Sequence, residues 1–199
     1  DLSGNLTISM WFKRNNTSVK QTLISKEMKE FELYFATDNF RLYYGGTHLN
    51  GPSSSTFLPN VWYHIVVTRE GSSGNWNVKF YINGLFNISV THSTNPILGT
   101  EDIYIGNENN NNSPGDEYFD GQISDVRIYN YPLTEDEVSE LYQSPITTTT
   151  TEAPTTTTKQ VMEIVNEETV LHLELNGNLD DISGNNNNVE FTGSLEFED

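Results

Sequence analysis

The sequence predicts an all-β sandwich, then a spacer, then a further stretch of strand. Short runs rich in Val, Ile, Tyr, Phe and Thr recur through residues 1–130, punctuated by Gly, Pro and Asn turn signals. A single segment carries a helix signature. Residues 145–160 hold nine Thr, two Pro and no aromatic residue, a composition that cannot bury a core.

In the first strand Leu6, Ile8, Met10 and Phe12 alternate with Thr7, Ser9, Trp11 and Lys13, the period of a half-buried strand. Further strands are predicted over 21–26, 31–36, 40–44, 61–69, 77–82, 86–90, 103–105 and 122–129. Gly45-Gly46, Gly51-Pro52, Gly71–Gly74, Asn83-Gly84 and Ser113-Pro114-Gly115 separate them. Asn83-Gly84 between two apolar runs is the strongest hairpin signal, because both residues tolerate positive φ. Many short strands joined by such turns pack as a sandwich or jelly roll. Thr134-Glu135-Asp136-Glu137 is a capping box, with Thr134 as N-cap and Glu137 reaching back to it. Val138, Leu141 and Tyr142 supply one apolar face, and Pro145 ends the helix.

The 16-residue Thr/Pro tract favours extended backbone and spans roughly 50 Å at about 3.3 Å per residue. Strand character then returns over 161–165, 170–175 and 189–197. Leu171, Leu173 and Leu175 alternate with polar residues, and Val189, Phe191, Leu195 and Phe197 mark the last strand. A polar loop, 180–188, separates them. So short a segment of strands is not stable alone. The chain therefore divides into a sandwich (1–144), a linker (145–160) and a strand segment (161–199) that completes a sandwich.

The 199 residues carry 10 Lys+Arg against 28 Asp+Glu, a net charge of −18. Residues 1–144 contribute −8 and residues 145–199 contribute −10. Nucleic acid is excluded as a partner, since phosphate binding needs a positive stripe. With no Cys there is no disulfide framework, thiolate metal site or cysteine nucleophile. No apolar run approaches 18 residues, so no membrane insertion is expected. Asp1-Leu2-Ser3-Gly4 has neither region of a secretory leader and reads as an internal cut in a longer precursor.

Five segments, in order, resemble laminin-G-like, concanavalin A-like lectin domains. They are Leu6–Lys13, Asn60–Thr68 with Trp62-Tyr63-His64, Val78–Gly84 with Tyr81-Ile82-Asn83-Gly84, Ile103-Tyr104-Ile105-Gly106, and Phe119–Tyr129 running into the helix 133–142. Residues 170–185, with Asp180-Asp181-Ile182-Ser183-Gly184-Asn185, and 193–197 resemble the opening strands of the same family. The resemblance therefore implies a sandwich whose opening strands have moved to the C-terminal side of the spacer. Reading residue 199 into residue 1 gives an uninterrupted family sequence. A sandwich lacking those strands has unpaired backbone and an uncovered core. Three completions stand open: the chain's own tail, as in a circular permutant; strand donation by a neighbouring copy; or a tandem array cut inside a domain. The expectation taken forward is completion by a neighbouring copy, which propagates head to tail. Leu171, Leu173, Leu175, Val189, Phe191, Leu195 and Phe197 would be the complementing residues.

The resemblance also implies sites. Calcium would sit where the opening loop meets the closing strand, held by Asp180, Asp181 and Asn185 with Asp120 and Asp125; the family's acidic position beside them is Ser124 here. Sugar-stacking candidates in or beside loops are Tyr43, Tyr44, Trp76 and Tyr118, while Trp11 and Trp62 fall in core motifs. Related sandwiches include glycosidases with paired carboxylates, but their E-x-D-x-x-E strand signature is absent, the four His show no metal spacing, and no Ser/His/Asp arrangement is legible, so no enzyme is expected. N-glycosylation sequons stand at Asn5, Asn15, Asn16, Asn87 and Asn111. The expected protein is a structural or adhesive component of an extracellular, cell-surface or virion-surface fibre. Its partners would be other copies of itself and surface glycans. A monomeric calcium-dependent lectin is the alternative, and a polysaccharide-cleaving enzyme a distant third.

Overall fold

The structure, a computed structural model, describes residues 2, 4–17, 20–26, 30–96, 103–107, 118–143 and 169–173. Two antiparallel sheets face each other. One contains β1 (Leu6–Arg14), β6 (Trp62–Ser72), β7 (Asn75–Ile82), β8 (Leu85–His92), β10 (Gly121–Tyr129) and β11 (Thr169–Leu173), in the order β11-β10-β1-β6-β7-β8. The other contains β2 (Gln21–Lys26), β3 (Phe31–Phe35), β4 (Asn39–Tyr44), β5 (Thr47–Ser53) and β9 (Ile103–Ile105), in the order β5-β4-β3-β2-β9. A helix, α1 (Glu135–Gln143), follows β10.

The alternation in β1 sets the core. Leu6, Ile8, Met10 and Phe12 enter it together with Leu33, Phe35, Phe40, Phe57, Ile65, Val67 and Phe80. Yet Thr7 and Ser9, on the opposite face, are buried too. The cause is α1, which lies over the outer face of the six-stranded sheet. Val138 and Leu141 of the helix form a second small core with Val66, Tyr81, Tyr129 and Leu133. Thr7 Oγ1 donates to the Tyr131 carbonyl at 2.7 Å and accepts from the Leu133 N–H at 2.9 Å, which pins the chain as it enters the helix. The predicted capping box is formed. Glu137 Oε2 accepts from the Thr134 N–H at 2.7 Å, and Thr134 Oγ1 accepts from the Glu137 N–H at 3.3 Å.

Asn83 (φ 50°) and Gly84 (φ 77°) make the predicted two-residue hairpin turn between β7 and β8, Ile82 pairing with Leu85 across it. β5 was not expected. It contains Gly51-Pro52 and only Leu49 as a buried aliphatic residue, but it is an edge strand, where proline costs no ladder bond. Its glycine has a packing role: a Cβ at Gly51 would lie 2.7 Å from the Phe80 ring across the sandwich.

Two arginines are buried at opposite ends of β1. Arg14, at its end, donates to the carbonyls of Phe57 (3.0 Å) and Ser54 (2.6 Å) and lies 4.4 Å from the Phe35 ring centroid. Arg69, paired with Leu6 at its start, donates to the carbonyls of Gly4 (2.9 Å) and Leu2 and lies 4.3 Å from the Tyr44 ring. Backbone carbonyls and aromatic faces hold both cations, and the buried Glu30 carboxylate adds an attraction at Arg69.

β11 pairs antiparallel with β10 of the same chain. Leu173 stands opposite Val126 and Leu171 opposite Ile128, two residues of the core. A strand from beyond the spacer therefore forms one edge of the six-stranded sheet. Leu175, Val189, Phe191, Leu195 and Phe197 lie outside the described residues, as do Asp180, Asp181, Asn185 and Asn111.

Candidate functional site

The outer face of the five-stranded sheet collects aromatic and polar side chains by simple alternation. In β3, Phe31, Leu33 and Phe35 face the core, which turns Glu32 and Tyr34 outward; in β4, Phe40, Leu42 and Tyr44 face the core, which turns Arg41 and Tyr43 outward. The register then builds two rows. Tyr104, Ser25, Glu32, Tyr43 and His48 form one across β9-β2-β3-β4-β5, and Thr22, Tyr34, Arg41 and Asn50 form the other.

Glu32 and Tyr34 are the buried floor of this face. Glu32 accepts from Thr22 Oγ1 at 2.8 Å and pairs with Lys20 Nζ at 3.4 Å. Tyr34 Oη and His48 Nδ1 are 2.7 Å apart, and Lys20 Nζ lies 4.5 Å from the Tyr34 ring. The Tyr43 and His48 rings are 4.8 Å apart. Arg41 donates from Nε to Asn50 Oδ1 at 2.8 Å and makes a bidentate pair with Asp38 at 2.9 and 3.1 Å. His48 and Asn50 are exposed, and Tyr43 is half-buried. Burial, with the charges of Arg41 and Lys20 beside it, holds the His48 pKa below its ordinary value, so the imidazole is neutral at pH 7. Burial raises the Tyr34 phenol. Both groups are therefore uncharged hydrogen-bonding partners. The face offers ring surfaces and neutral donors and acceptors, with its charges already paired.

Of the expected sugar-stacking residues, Tyr43 belongs to this face and Tyr118 is exposed elsewhere, just before β10. Tyr44 and Trp76 are corrected: both are buried in the core, where Tyr44 points inward by the alternation of β4 and Trp76 donates from Nε1 to Asn95 Oδ1 at 3.0 Å. Neither can present a ring to a ligand. Trp62 is the converse case. Expected in the core, it is 37% exposed on the outer side of β6, with Lys13 Nζ 5.3 Å from its ring. Tyr34, His48 and Arg41 were not anticipated. Alternation alone would have grouped Glu32 with Tyr34 and Arg41 with Tyr43; His48 needed the register of β5.

Asp120 and Asp125 both have protein partners. Asp120 accepts from the side-chain amides of Asn15 (2.9 Å) and Asn16. Asp125, at φ 48°, takes a bidentate pair from Arg127 at 2.7 and 3.0 Å. Among the described residues no three metal-ligating side chains converge.

The structure also brings Ser9 Oγ to 2.9 Å from His64 Nε2. Both residues are about 1% exposed, and Trp11, tilted, and Tyr142, stacked, lie against the imidazole, with ring centroids 5.1 and 6.0 Å away. Nδ1 of His64 has no hydrogen-bond partner among the described residues. Among the described residues no carboxylate hydrogen-bonds the ring, and the pair is a buried polar contact.

Residues 1–139 match the family model described as the concanavalin A-like lectin/glucanases superfamily, laminin-G type. The chain belongs to that superfamily. Across 167 residues it is 24% identical to adhesion G-protein coupled receptor V1 of Danio rerio, covering 72% of this chain and 2% of the receptor. A protein of Bacteroides ovatus proposed to bind carbohydrate shares the fold at a TM-score of 0.67 and 17% identity, over 92% of this chain and 50% of that one. The CBM40 module of Ruminococcus gnavus IT-sialidase, solved with α2,3-sialyllactose, superposes at a TM-score of 0.55 and 14% identity, over 70% of this chain and 83% of that one. Among the described residues no helix is long and apolar enough to cross a membrane.

Proposed function

We propose that this laminin-G-like chain is a non-enzymatic, carbohydrate-binding adhesion module of an extracellular or surface-displayed protein. The observation that carries the reading is the Tyr43-His48 pair on the outer face of the five-stranded sheet, seated on the buried Tyr34 and flanked by Asn50 and Arg41. Ring surfaces beside neutral hydrogen-bonding groups suit the apolar faces and hydroxyls of a sugar. The carbohydrate associations of similarly folded proteins support the same reading. The ligand class follows from charge. Lys20 and Arg41 are paired with Glu32 and Asp38, and the chain carries −18 overall, so a neutral oligosaccharide is favoured over a polyanionic one.

On a glycan array the protein should retain neutral oligosaccharides. By calorimetry with the best of them, Tyr43→Ala and His48→Ala should each weaken binding about tenfold or more, the equivalent of roughly 1.4 kcal/mol. An array without hits, or variants that bind like the parent, would remove the lectin reading.

The β10–β11 pairing supports a second, mechanical role. The same edge can accept the strand from a neighbouring copy, which would link modules head to tail into a fibre. Residues 144–168 separate α1 from β11. A strand carried by the same chain competes intramolecularly, at an effective concentration on the order of millimolar for a short linker. Free copies therefore close on themselves at micromolar concentration, and exchange is expected only where copies are crowded or covalently arrayed. Size-exclusion chromatography should show a monomer in dilute solution and concentration-dependent oligomers approaching millimolar. A monomer throughout that range would exclude strand exchange between copies.

A further inference from the structure

β8 is an end strand of the six-stranded sheet, and its outer edge has no strand partner among the described residues. It is also unusually apolar for an open edge: Leu85 is 73%, Phe86 49% and Ile88 38% exposed. Such an edge is a template for pairing with other chains and is normally blunted by charge, proline or a bulge. β8 has a bulge. Phe80 pairs with Ile88 and Tyr81 with Phe86, which leaves Asn87 as the inserted residue, opposite no residue of β7. Bulges re-aim the side chain they carry. Asn87 is exposed and opens the sequon Asn87-Ile88-Ser89. Among the described residues no group holds its amide.

The other described sequons differ. Asn5 Oδ1 accepts from the Gly71 N–H at 3.1 Å, and its Thr7 is buried and doubly hydrogen-bonded. The amides of Asn15 and Asn16 both donate to Asp120.

We propose that Asn87 is an N-glycan acceptor, and that the glycan it carries covers the open apolar edge of β8. In the transfer, Nδ2 of Asn87 bonds to the anomeric carbon of a polyprenyl-pyrophosphate-linked oligosaccharide. The bond from that carbon to the pyrophosphate oxygen breaks, the polyprenyl pyrophosphate leaves with the electron pair, and the amide gives up one proton to the transferring enzyme's base. This inference rests on the surface-displayed placement proposed above, and not on the sugar-binding face, which lies on the other sheet.

The test is secretion of the full 199-residue chain from a eukaryotic host, followed by glycosidase release in heavy-oxygen water and peptide mass spectrometry. Asn87 should convert to labelled aspartate while Asn5 does not, and Ser89→Ala should abolish the label at Asn87. Secreted, folded protein with Asn87 unlabelled would overturn the acceptor assignment. Light scattering should then show association rising several-fold once the glycan is removed; no change would overturn its covering role. Oligosaccharide binding to the Tyr43 face, measured on the same preparation before and after glycan removal, reports separately on the lectin reading.

Discussion

Phe12→Ala should lower stability by about 3–5 kcal/mol, the largest loss expected from any single side-chain truncation in this sandwich. The ring is fully buried and stands at the centre of an aromatic cluster. Its neighbours are Phe35 (5.3 Å between centroids, edge-on), Phe57 (5.5 Å), Tyr63 (6.0 Å, stacked) and Phe119 (6.2 Å, edge-on). These residues come from both sheets and from two connecting segments. Truncation therefore leaves a cavity walled by separate elements, which no single one can fill by moving. Aromatic pairs add about 0.5–1.5 kcal/mol each beyond burial. Urea unfolding would read the change as a lower midpoint at unchanged slope. Phe12→Leu, which keeps most of the volume, should lose less than half as much. A loss below about 1.5 kcal/mol for the alanine variant would mean that Phe12 is not the hub of the core.

The second large effect is acid sensitivity centred on His64. Burial under α1 lowers its pKa to about 4, against an attraction from Asp125 that partly offsets the shift and a repulsion from Arg127 that adds to it. In the unfolded chain the imidazole titrates near 6.5. The folded value is depressed, so the unfolded state binds the proton first. Stability from this group is fully present above pH 6.5 and is lost progressively as pH falls towards 4. The shift amounts to about 3 kcal/mol across that window. Comparing urea midpoints at pH 7 and pH 4 for the parent and for His64→Phe isolates the effect, since the carboxylates titrate in both. The parent should lose about 3 kcal/mol more than the variant. Equal losses would show that the imidazole is not kept neutral by its burial.

How far the sequence reached depends on the range of the interaction involved. The Asn83-Gly84 turn and the Thr134/Glu137 capping box are decided within four residues, and both form as expected. The strands of the core follow their period-2 pattern for the same reason. β5 escaped notice because Gly51-Pro52 breaks strand propensity locally, while its place at an edge, where that break costs little, is a property of the whole sheet. Tyr44 and Trp76 sat near turns and looked like surface rings, but the alternation that puts Phe40 and Leu42 inside puts Tyr44 there as well. The binding face was the least legible part. Tyr34 and His48 are 14 residues apart and meet only through the register of three strands. Ser9 and His64 likewise meet only across the β1–β6 pair, which no spacing rule anticipates.

The two guanidinium groups at either end of β1 have a bearing on how this molecule can take up any guest. Eight residue steps apart, or roughly 27 Å of strand, they stopper the hydrocarbon interior with permanently hydrated-seeking cations that are tied down by main-chain oxygens. A fatty or other greasy compound entering between the sheets at either end of β1 would have to displace one of these plugs. If the chain binds sugar as proposed, substitutions at the exposed His48 and Asn50 would alter that affinity while leaving both plugs in place.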